Sequence, residues 1–199
     1  MKTPFKTLPA LALLMLAACV APVGPVEVTR FHVPQTGQLG SGAIVVEPAG
    51  DMDGQSLEFR TYAAAVSREL QRVGYADMVA GGRSSQSVAL VRVERESFRR
   101  GSDGSPVSLG VGAGTGGYGS GVGVGLGFNL SGPPPETIET RLFVTIRDRA
   151  SGQSLWEGRA SFSARASSPL AQTQLGAGKL AEALFRGFPG NSGETILVP

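Results

Sequence analysis

The stretch from Thr140 to Arg165, TRLFVTIRDRASGQSLWEGRASFSAR, decides the architecture of the chain, because it contains two strands and the turn that joins them. In both arms apolar or small residues alternate with polar ones, which is the period of a strand with one buried face. Those positions are Leu142, Val144 and Ile146 in the first arm, and Trp156, Gly158, Ala160, Phe162 and Ala164 in the second. Between the arms, Asp148–Gln153 (DRASGQ) combines an aspartate that can bond to nearby backbone with Gly152, which tolerates a positive φ. The stretch therefore predicts an antiparallel hairpin.

Three further segments are rich in β-branched residues and predict strands: Val26–Val33, Ala43–Glu47 and Val88–Phe98. A helix is predicted between the second and third of these, with Ser56 as its N-cap and Gly74 ending it in a left-handed conformation. Its apolar stripe consists of Phe59, Tyr62, Ala63, Val66, Leu70 and Val73, at helical i, i+3 and i+4 steps.

A second helix is predicted from about Pro169 to Arg186, with Ser168 as N-cap and Pro169 at the first helical position. Its predicted inner stripe is Leu170, Gln174, Ala177, Ala181, Leu184 and Phe188. Strands joined by tight turns favour antiparallel pairing, and two helices can cover one face of such a sheet. The order of elements therefore predicts an α+β two-layer sandwich, with a mostly antiparallel sheet and both helices on one face.

A glycine-rich segment, residues 107–131, interrupts this pattern. Glycine alternates with mostly apolar residues on both sides, and the phase shifts by one at Gly116–Gly117. That pattern predicts a β-hairpin in which Val107–Thr115 pairs with Tyr118–Leu130 as an extension of the sheet. We expect its apolar side chains to face the helices or another apolar surface. The arms are also close to the length of a membrane-spanning strand, so an oligomeric, membrane-inserting hairpin stays open as an alternative.

The same segment matches the dinucleotide-binding pattern G-x-G-x-x-G from Gly112 and again from Gly114. That chemistry needs a helix directly after the glycines, so that the helix N-terminus can face the pyrophosphate. Glycine continues to Gly127 and prolines follow, so no helix is predicted there. No lysine lies nearby for a phosphate-binding loop, and we expect no nucleotide and no other cofactor.

The N-terminus predicts the compartment. Residues 1–18 have a short basic start and an apolar core too short for a mature membrane-spanning helix, which is typical of a secretory signal. Leu16–Cys19 (LAAC) resembles the lipobox of bacterial lipoprotein precursors. The resemblance implies cleavage before Cys19 and lipid attachment to its thiol, and Cys19 is the only cysteine of the chain. In lipoproteins of Gram-negative bacteria, an aspartate directly after the cysteine commonly signals retention in the inner membrane. Val20 stands at this position, which favours the outer membrane, on its periplasmic face.

The predicted organisation is therefore a lipoprotein signal peptide (1–18), a tether (19–26) and one α+β domain (27–199). Removing Lys2 and Lys6 with the signal peptide leaves 16 basic against 16 acidic residues, from 18 and 16 in the whole chain. A nucleic-acid surface needs a concentrated basic excess, so we expect no nucleic-acid partner.

Residues with catalytic or metal-binding chemistry are few. His32 is the only histidine and falls in a predicted strand, so a structural role is favoured. Asp51 and Asp53 imitate the start of a calcium loop without the rest of its ligands, and a solvated turn is expected instead. Glu94 and Glu96 share one strand face and are expected to be solvated. We predict no catalytic residue and no metal site.

These features together resemble bacterial lipoproteins of the domain-of-unknown-function family 4136. Asp148, Gly152, Trp156 and Gly158 match a recurring hairpin of that family, and a glycine-rich segment before the hairpin is also typical. The resemblance implies a cell-envelope lipoprotein with an α+β domain. It implies no activity and no functional residue except Cys19.

The expected function is a non-catalytic binding or envelope-assembly module. The membrane would be contacted through the lipid on Cys19, and an envelope protein is the expected partner. The open alternatives are the oligomeric, membrane-inserting hairpin and a carboxylate-dependent hydrolase. A cleft lined by carboxylates with perturbed pKa values would favour the hydrolase, and an exposed apolar patch would favour binding.

Overall fold

The computed structural model describes residues 24–77, 86–99, 107–114, 121–128 and 135–199. The expected signal peptide (1–18), Cys19 and the greater part of the tether (19–26) lie outside the described residues. Between the two strands of the glycine-rich segment, residues 115–120 also lie outside them, and with them the predicted turn at Gly116–Gly117.

Seven strands form the main sheet: β1 Val26–His32, β2 Ala43–Pro48, β3 Ala76–Asp77, β4 Ser87–Arg99, β7 Glu136–Asp148, β8 Ser154–Arg165 and β9 Thr195–Val198. Their order across the sheet is β3-β2-β4-β7-β8-β1-β9. β2 runs parallel to β3 and β4, and all other neighbours in this sheet are antiparallel. The two short edge strands, β3 and β9, were absent from the sequence-based prediction.

The first predicted helix is confirmed as α1, Leu57–Arg72. The Ser56 hydroxyl accepts a hydrogen bond from the Phe59 backbone N–H at 3.1 Å, which satisfies one of the free donors at the helix start. Gly74, at φ 110°, follows the helix end. A Cβ at this position would lie 2.2 Å from the Gly40 carbonyl oxygen, so only glycine fits where the chain leaves the helix.

The second helix begins later than predicted. Pro169–Ala171 forms a single 3-10 turn, and Gln172 is extended before α2 begins at Thr173 and runs to Phe185. Ser168 therefore caps the short turn, by accepting a bond from the Leu170 N–H at 3.3 Å, and not the helix itself. The predicted inner stripe is wrong at Gln174, which is exposed, and it omits the buried Leu180, Ala183 and Phe185. The buried residues of α2 are Gly176, Ala177, Leu180, Ala181, Ala183, Leu184 and Phe185.

Both helices cover the same face of the sheet. The buried side chains of β4, β7, β8 and β1 on this face form one cluster with those of α1 and α2. Register explains why: Ala89 lies opposite Ile146, which lies opposite Trp156. The α+β prediction, with a mostly antiparallel sheet and two helices on one face, is confirmed.

The quoted hairpin is confirmed as β7 and β8. The Asp148 carboxylate accepts bonds from the backbone N–H and the hydroxyl of Ser151, both at 2.7 Å, and Gly152 has φ 72°. These are the roles that the turn residues predict. The Ser151 bonds lower the pKa of the Asp148 carboxyl, because they favour its charged form.

The glycine-rich segment forms a separate two-stranded antiparallel sheet, β5 (Val107–Gly114) with β6 (Gly121–Phe128). The predicted antiparallel pairing is confirmed for these residues. The hydrogen-bonded order places the pair outside the seven-stranded sheet, so it does not add a strand beside the core strands. It is inserted between β4 and β7, which pair directly with each other.

Among the described residues, no helix is long and apolar enough to cross a membrane.

Candidate binding surface

The face of the main sheet opposite the helices carries the candidate site, and we call it the open face. It is formed by the residues of β4, β7, β8 and β1 that alternate with the buried ones. In one row across the sheet, Arg92 lies opposite Phe143, Phe143 opposite Arg159, and Arg159 opposite Thr29. The open face therefore mixes aromatic and charged side chains, whereas the helix-covered face is apolar.

Ion pairs occupy the half of the open face near the end of β4. Arg141 is bound by Glu139 at 2.8 Å and by Glu96 at 3.1 Å, with Glu94 at 3.9 Å, and Arg92 pairs with Glu94 at 2.8 Å. The bonds to Glu139 and Glu96 raise the pKa of the Arg141 guanidinium. The carboxylates that the sequence predicts to be solvated are thus held by arginines on the neighbouring strand and on their own. Three carboxylates are thus paired with two guanidinium groups on this surface.

An aromatic depression of about 400 Å³ lies beside the ion pairs. Its lining residues are Thr29, Phe31, Phe143, Thr145, Glu157, Gly158 and Arg159. Phe31 is 54% exposed although it lies in a strand of the main sheet. The Arg92 guanidinium carbon stands 4.4 Å from the centre of the Phe143 ring, a cation–π contact. An exposed Phe31 beside a half-buried Phe143, bordered by arginine and glutamate, is suited to contacting a protein or another amphipathic molecule.

The helix-covered side of the same strands explains the Trp–Gly pattern. Trp156 is fully buried, stacks on Phe185 at 5.4 Å, and donates its indole N–H to the Pro189 carbonyl at 2.9 Å. Its ring lies across Gly158, where a Cβ would meet the Trp156 ring at 2.2 Å and Leu184 at 2.8 Å. Trp156 and Gly158 therefore belong to the core, and their spacing is a packing requirement.

Arg30 is a buried charge that the sequence did not single out. It is 5% exposed and donates to the carbonyl oxygens of Ala183, Leu184 and Arg186, at 3.0, 2.9 and 2.9 Å. A cation at the end of α2 is favoured by the helix dipole, and it satisfies carbonyls that have no partner within the helix. Burial lowers the pKa of the guanidinium, and Glu194 opposes that shift. Its contacts give Arg30 a structural role.

His32 and Asp53 make structural contacts, and Asp51 lies in a solvated turn. The His32 ring nitrogens lie 2.8 Å from the Val33 carbonyl oxygen and 3.1 Å from that of Gly190. Asp53 accepts a bond from the Gln55 N–H at 2.8 Å, within the turn before α1, and Asp51 is exposed. Within the described ranges, no group of three or more His, Cys, Asp or Glu side chains could hold a metal ion.

A second, polar pocket of about 670 Å³ lies at the opposite end of the sheet, beside the β7–β8 turn. Asp148 is the one carboxylate among its lining residues, which are Gly37, Gln38, Ser41, Gln86, Ser87, Asp148, Arg149, Ala150 and Leu155. A general acid needs a raised carboxyl pKa, whereas the pKa of Asp148 is lowered by Ser151. This pocket gives no support to carboxylate-dependent hydrolysis.

The glycine pattern has no phosphate-binding geometry where it is described. Gly112 and Gly114 belong to strand β5, and β6 is the next described element along the chain. A pyrophosphate site would need a helix N-terminus there.

Comparison with known families places the chain. The sequence profile of the family described as "Domain of unknown function (DUF4136)" matches residues 31–190. The chain belongs to this family. The matched range includes β7, β8 and the Trp156–Gly158 pair, so the resemblance seen in the hairpin is confirmed. The family description states no activity.

The chain is also similar to individual proteins. The chain is 29% identical over 212 residues to an uncharacterized protein, ZMO1243, of Zymomonas mobilis, covering 86% of this chain and 79% of that protein. Among solved structures, it is similar to a PDZ domain protein of Parabacteroides distasonis, with a TM-score of 0.46 and 10% identity. That match covers 88% of this chain and 39% of that protein's length. A PelC dodecamer of Paraburkholderia phytofirmans matches with a TM-score of 0.42 and 9% identity, over 78% and 91% of the two chains.

The open face was the part of the site that sequence reasoning missed. Period-two alternation identified the buried positions, and the same alternation assigns the remaining residues of each strand to the other face. An aromatic residue at such a position, as Phe31 in β1 and Phe143 in β7, is the available signal. Phe31 and Glu157 lie in neighbouring strands only because β1 pairs with β8, and that pairing joins segments far apart in sequence.

Proposed function

We propose that this protein is a lipoprotein anchored through Cys19 on the periplasmic face of the outer membrane, and that its domain binds an envelope protein without catalysing a reaction. The anchor rests on the LAAC stretch and on the single cysteine. A lipoprotein with more than one acyl chain is held firmly on a membrane. The tether would then leave the domain attached close to the bilayer surface.

The observation that supports a binding role is the aromatic depression on the open face. Phe31 is half exposed there, and Phe143 stands beside Arg92, Arg159 and Glu157. Interfaces are enriched in aromatic residues and arginine, and such residues carry much of the binding free energy. The partner that fits is a protein surface with apolar side chains and both signs of charge at its rim.

The anchor is tested by expressing the chain and Cys19→Ser in a Gram-negative host with labelled fatty acid. The expected result is label and outer-membrane fractionation for the original chain, and an unlabelled, unprocessed or released protein for the variant. Fractionation of the original chain with soluble periplasmic proteins would overturn the anchor.

The binding surface is tested with a photo-crosslinking amino acid at Phe31 and, as the matched control, at Leu175 on α2. The two positions are 54% and 52% exposed, so a difference in crosslinking reflects the surface and not accessibility. We expect a discrete envelope-protein adduct from position 31 and none from position 175. The same adducts from both positions, or none from position 31, would contradict the proposal.

A further inference from the structure

The strand pairs β4–β7 and β5–β6 have the same register. The last pair of β4–β7 is Arg99 with Glu136, and the first pair of β5–β6 is Val107 with Phe128. Seven residues separate the pairs on each side, 100–106 and 129–135. The residue numbers of paired residues therefore have the same sum, 235, in β4–β7 and in β5–β6.

The composition changes abruptly along this register. Residues 104–135 contain no Asp, Glu, Lys, Arg or His, although β4 and β7 are rich in them. Within β5–β6, apolar residues lie opposite apolar ones, and the glycines lie opposite glycine except Gly127, which lies opposite Ser108. The apolar partners are Val107–Phe128, Leu109–Leu126, Val111–Val124 and Ala113–Val122. Such an uncharged, alternating hairpin is compatible with a hydrocarbon environment on one face.

β4, the strand that precedes the hairpin in the chain, ends at the end of the sheet where β1 begins. Glu27, at the start of β1, lies in one row with Ser161, Arg141 and Glu94. β4 ends five residues after that row, at Arg99, and β1 runs away from this end. The start of β1 and the end of β4 thus lie at the same end of the sheet.

From these three observations we propose that the β5–β6 hairpin inserts into the lipid bilayer to which the lipid on Cys19 holds the chain. The inference rests on the proposed anchor for its orientation. Seven residues from Cys19 to Val26 can span at most about 25 Å, which keeps this end of the sheet near the bilayer. The eight residues of each hairpin strand span about 27 Å, close to the thickness of a hydrocarbon core.

Backbone hydrogen bonding adds a condition. Within hydrocarbon every N–H and C=O must be paired, and a two-stranded hairpin has unpaired groups along both outer edges. Inserted hairpins of neighbouring copies must therefore pair along these edges. Insertion consequently needs several copies. The inserted fraction should therefore increase with the surface density of the protein on the membrane.

The test places a fluorophore at single cysteines in the hairpin, which is possible because Cys19 is the only cysteine of the chain. With Cys19→Ser, the chain from residue 19 has no other cysteine, so single cysteines at positions 109, 110, 111 and 112 can carry an environment-sensitive fluorophore. A histidine tag replaces residues 1–18 and holds each variant on vesicles of phosphatidylethanolamine, phosphatidylglycerol and a nickel-chelating lipid. Because the tag substitutes for the lipid, failure of lipidation in cells does not affect this result.

The measured quantity is quenching by lipids with a nitroxide in the acyl chain. We expect quenching at 109 and 111 at least about twofold greater than at 110 and 112, because strand side chains alternate between two faces. Ser163→Cys, in β8 of the main sheet, serves as the control and should stay unquenched. Val111→Asp with Val124→Asp, which are register partners, should abolish the quenching reported from position 109.

Three results would overturn the proposal. The first is quenching no greater than that of the position-163 control at all four positions. The second is equal quenching at odd and even positions. The third is crosslinking between copies in the absence of vesicles without quenching in their presence, which would assign the hairpin to a second copy in solution.

Discussion

The two strand pairs β4–β7 and β5–β6 have the same register and belong to different sheets. In β4–β7, Val91 lies opposite Val144 and both are at most 1% exposed beneath the helices. In β5–β6, Val111 lies opposite Val124 in a two-stranded sheet of its own, with glycine pairs on both sides. An isolated hairpin is marginal in water, and glycine weakens it further. The comparison shows that strand pairing determines the register of two strands, whereas burial against the helices determines how much the pair contributes to the unfolding free energy.

The largest expected effect separates the two pairs directly. Val91→Asp places a carboxylate in the core without a partner, and we expect it to cost more than about 4 kcal/mol of unfolding free energy. Val124→Asp, at the hairpin, should change the unfolding free energy by less than about 0.5 kcal/mol in the absence of membranes. Chemical denaturation of the two variants measures both values. A comparable loss in Val124→Asp would place the hairpin against the core.

The second prediction compares strand glycines. Gly158→Ala should cost about 1–3 kcal/mol, because its Cβ would collide with the buried Trp156 ring and the fit of Leu184 would be lost. Gly125→Ala, in β6, should leave the thermal unfolding of the main sheet unchanged.

Gly178→Ala is the matched control for the alanine substitution itself. Gly178 lies in α2 and no atom would stand within 4 Å of its Cβ, so alanine should stabilise the helix by about 0.5–1 kcal/mol. Equal melting temperatures for Gly158→Ala and the original chain would contradict the assigned role of Gly158.

Much of the main sheet could be predicted from local pattern, and the reasons are visible at particular residues. Leu142, Val144 and Ile146 alternate with polar residues, and the turn from Asp148 to Gly152 has a local mechanism, so β7 and β8 follow from sequence. The cap at Ser56 and the stop at Gly74 are likewise local. Each of these features depends on residues a few positions apart.

The parts that could not be predicted depend on distant pairing. β9 is four residues long, and it is a strand because Val26 and Glu27 lie opposite Val198 and Leu197. Arg30 looks like an exposed polar residue until α2 brings three carbonyl oxygens to it. α2 begins at Thr173 and not at the predicted Pro169, because Gln172 is extended. Ser168 and Pro169 are a favourable helix start when only the local sequence is considered.

A third prediction concerns the N-terminal cap of α1. Ser56→Ala removes the hydroxyl that accepts from the Phe59 N–H, and we expect a loss of about 1 kcal/mol. Ser168→Ala removes an acceptor from the three-residue turn before α2 and should cost less, since no helix propagates from it. The difference between the two unfolding free energies is the measurement. An equal or larger loss for Ser168→Ala would mean that the turn from Pro169 to Ala171 holds α2 in place.

The smallest expected effect lies at the end of the β4–β7 and β7–β8 pairs that is farthest from the hairpin. The Ser151 bonds lower the pKa of Asp148 below its unfolded value of about 3.9, so the carboxylate stabilises the folded state above that pH. This contribution is lost as the pH falls from about 4 through the lower folded pKa. Asp148→Asn should therefore melt slightly below the original chain at pH 7, and the two curves should converge at more acidic pH. Ser151→Ala, which removes one of the two bonds and keeps the carboxylate, should show part of the same pH-dependent difference. A difference between Asp148→Asn and the original chain that stays constant from pH 7 to pH 2 would show that Asp148 acts through its shape in the turn and not through its charge.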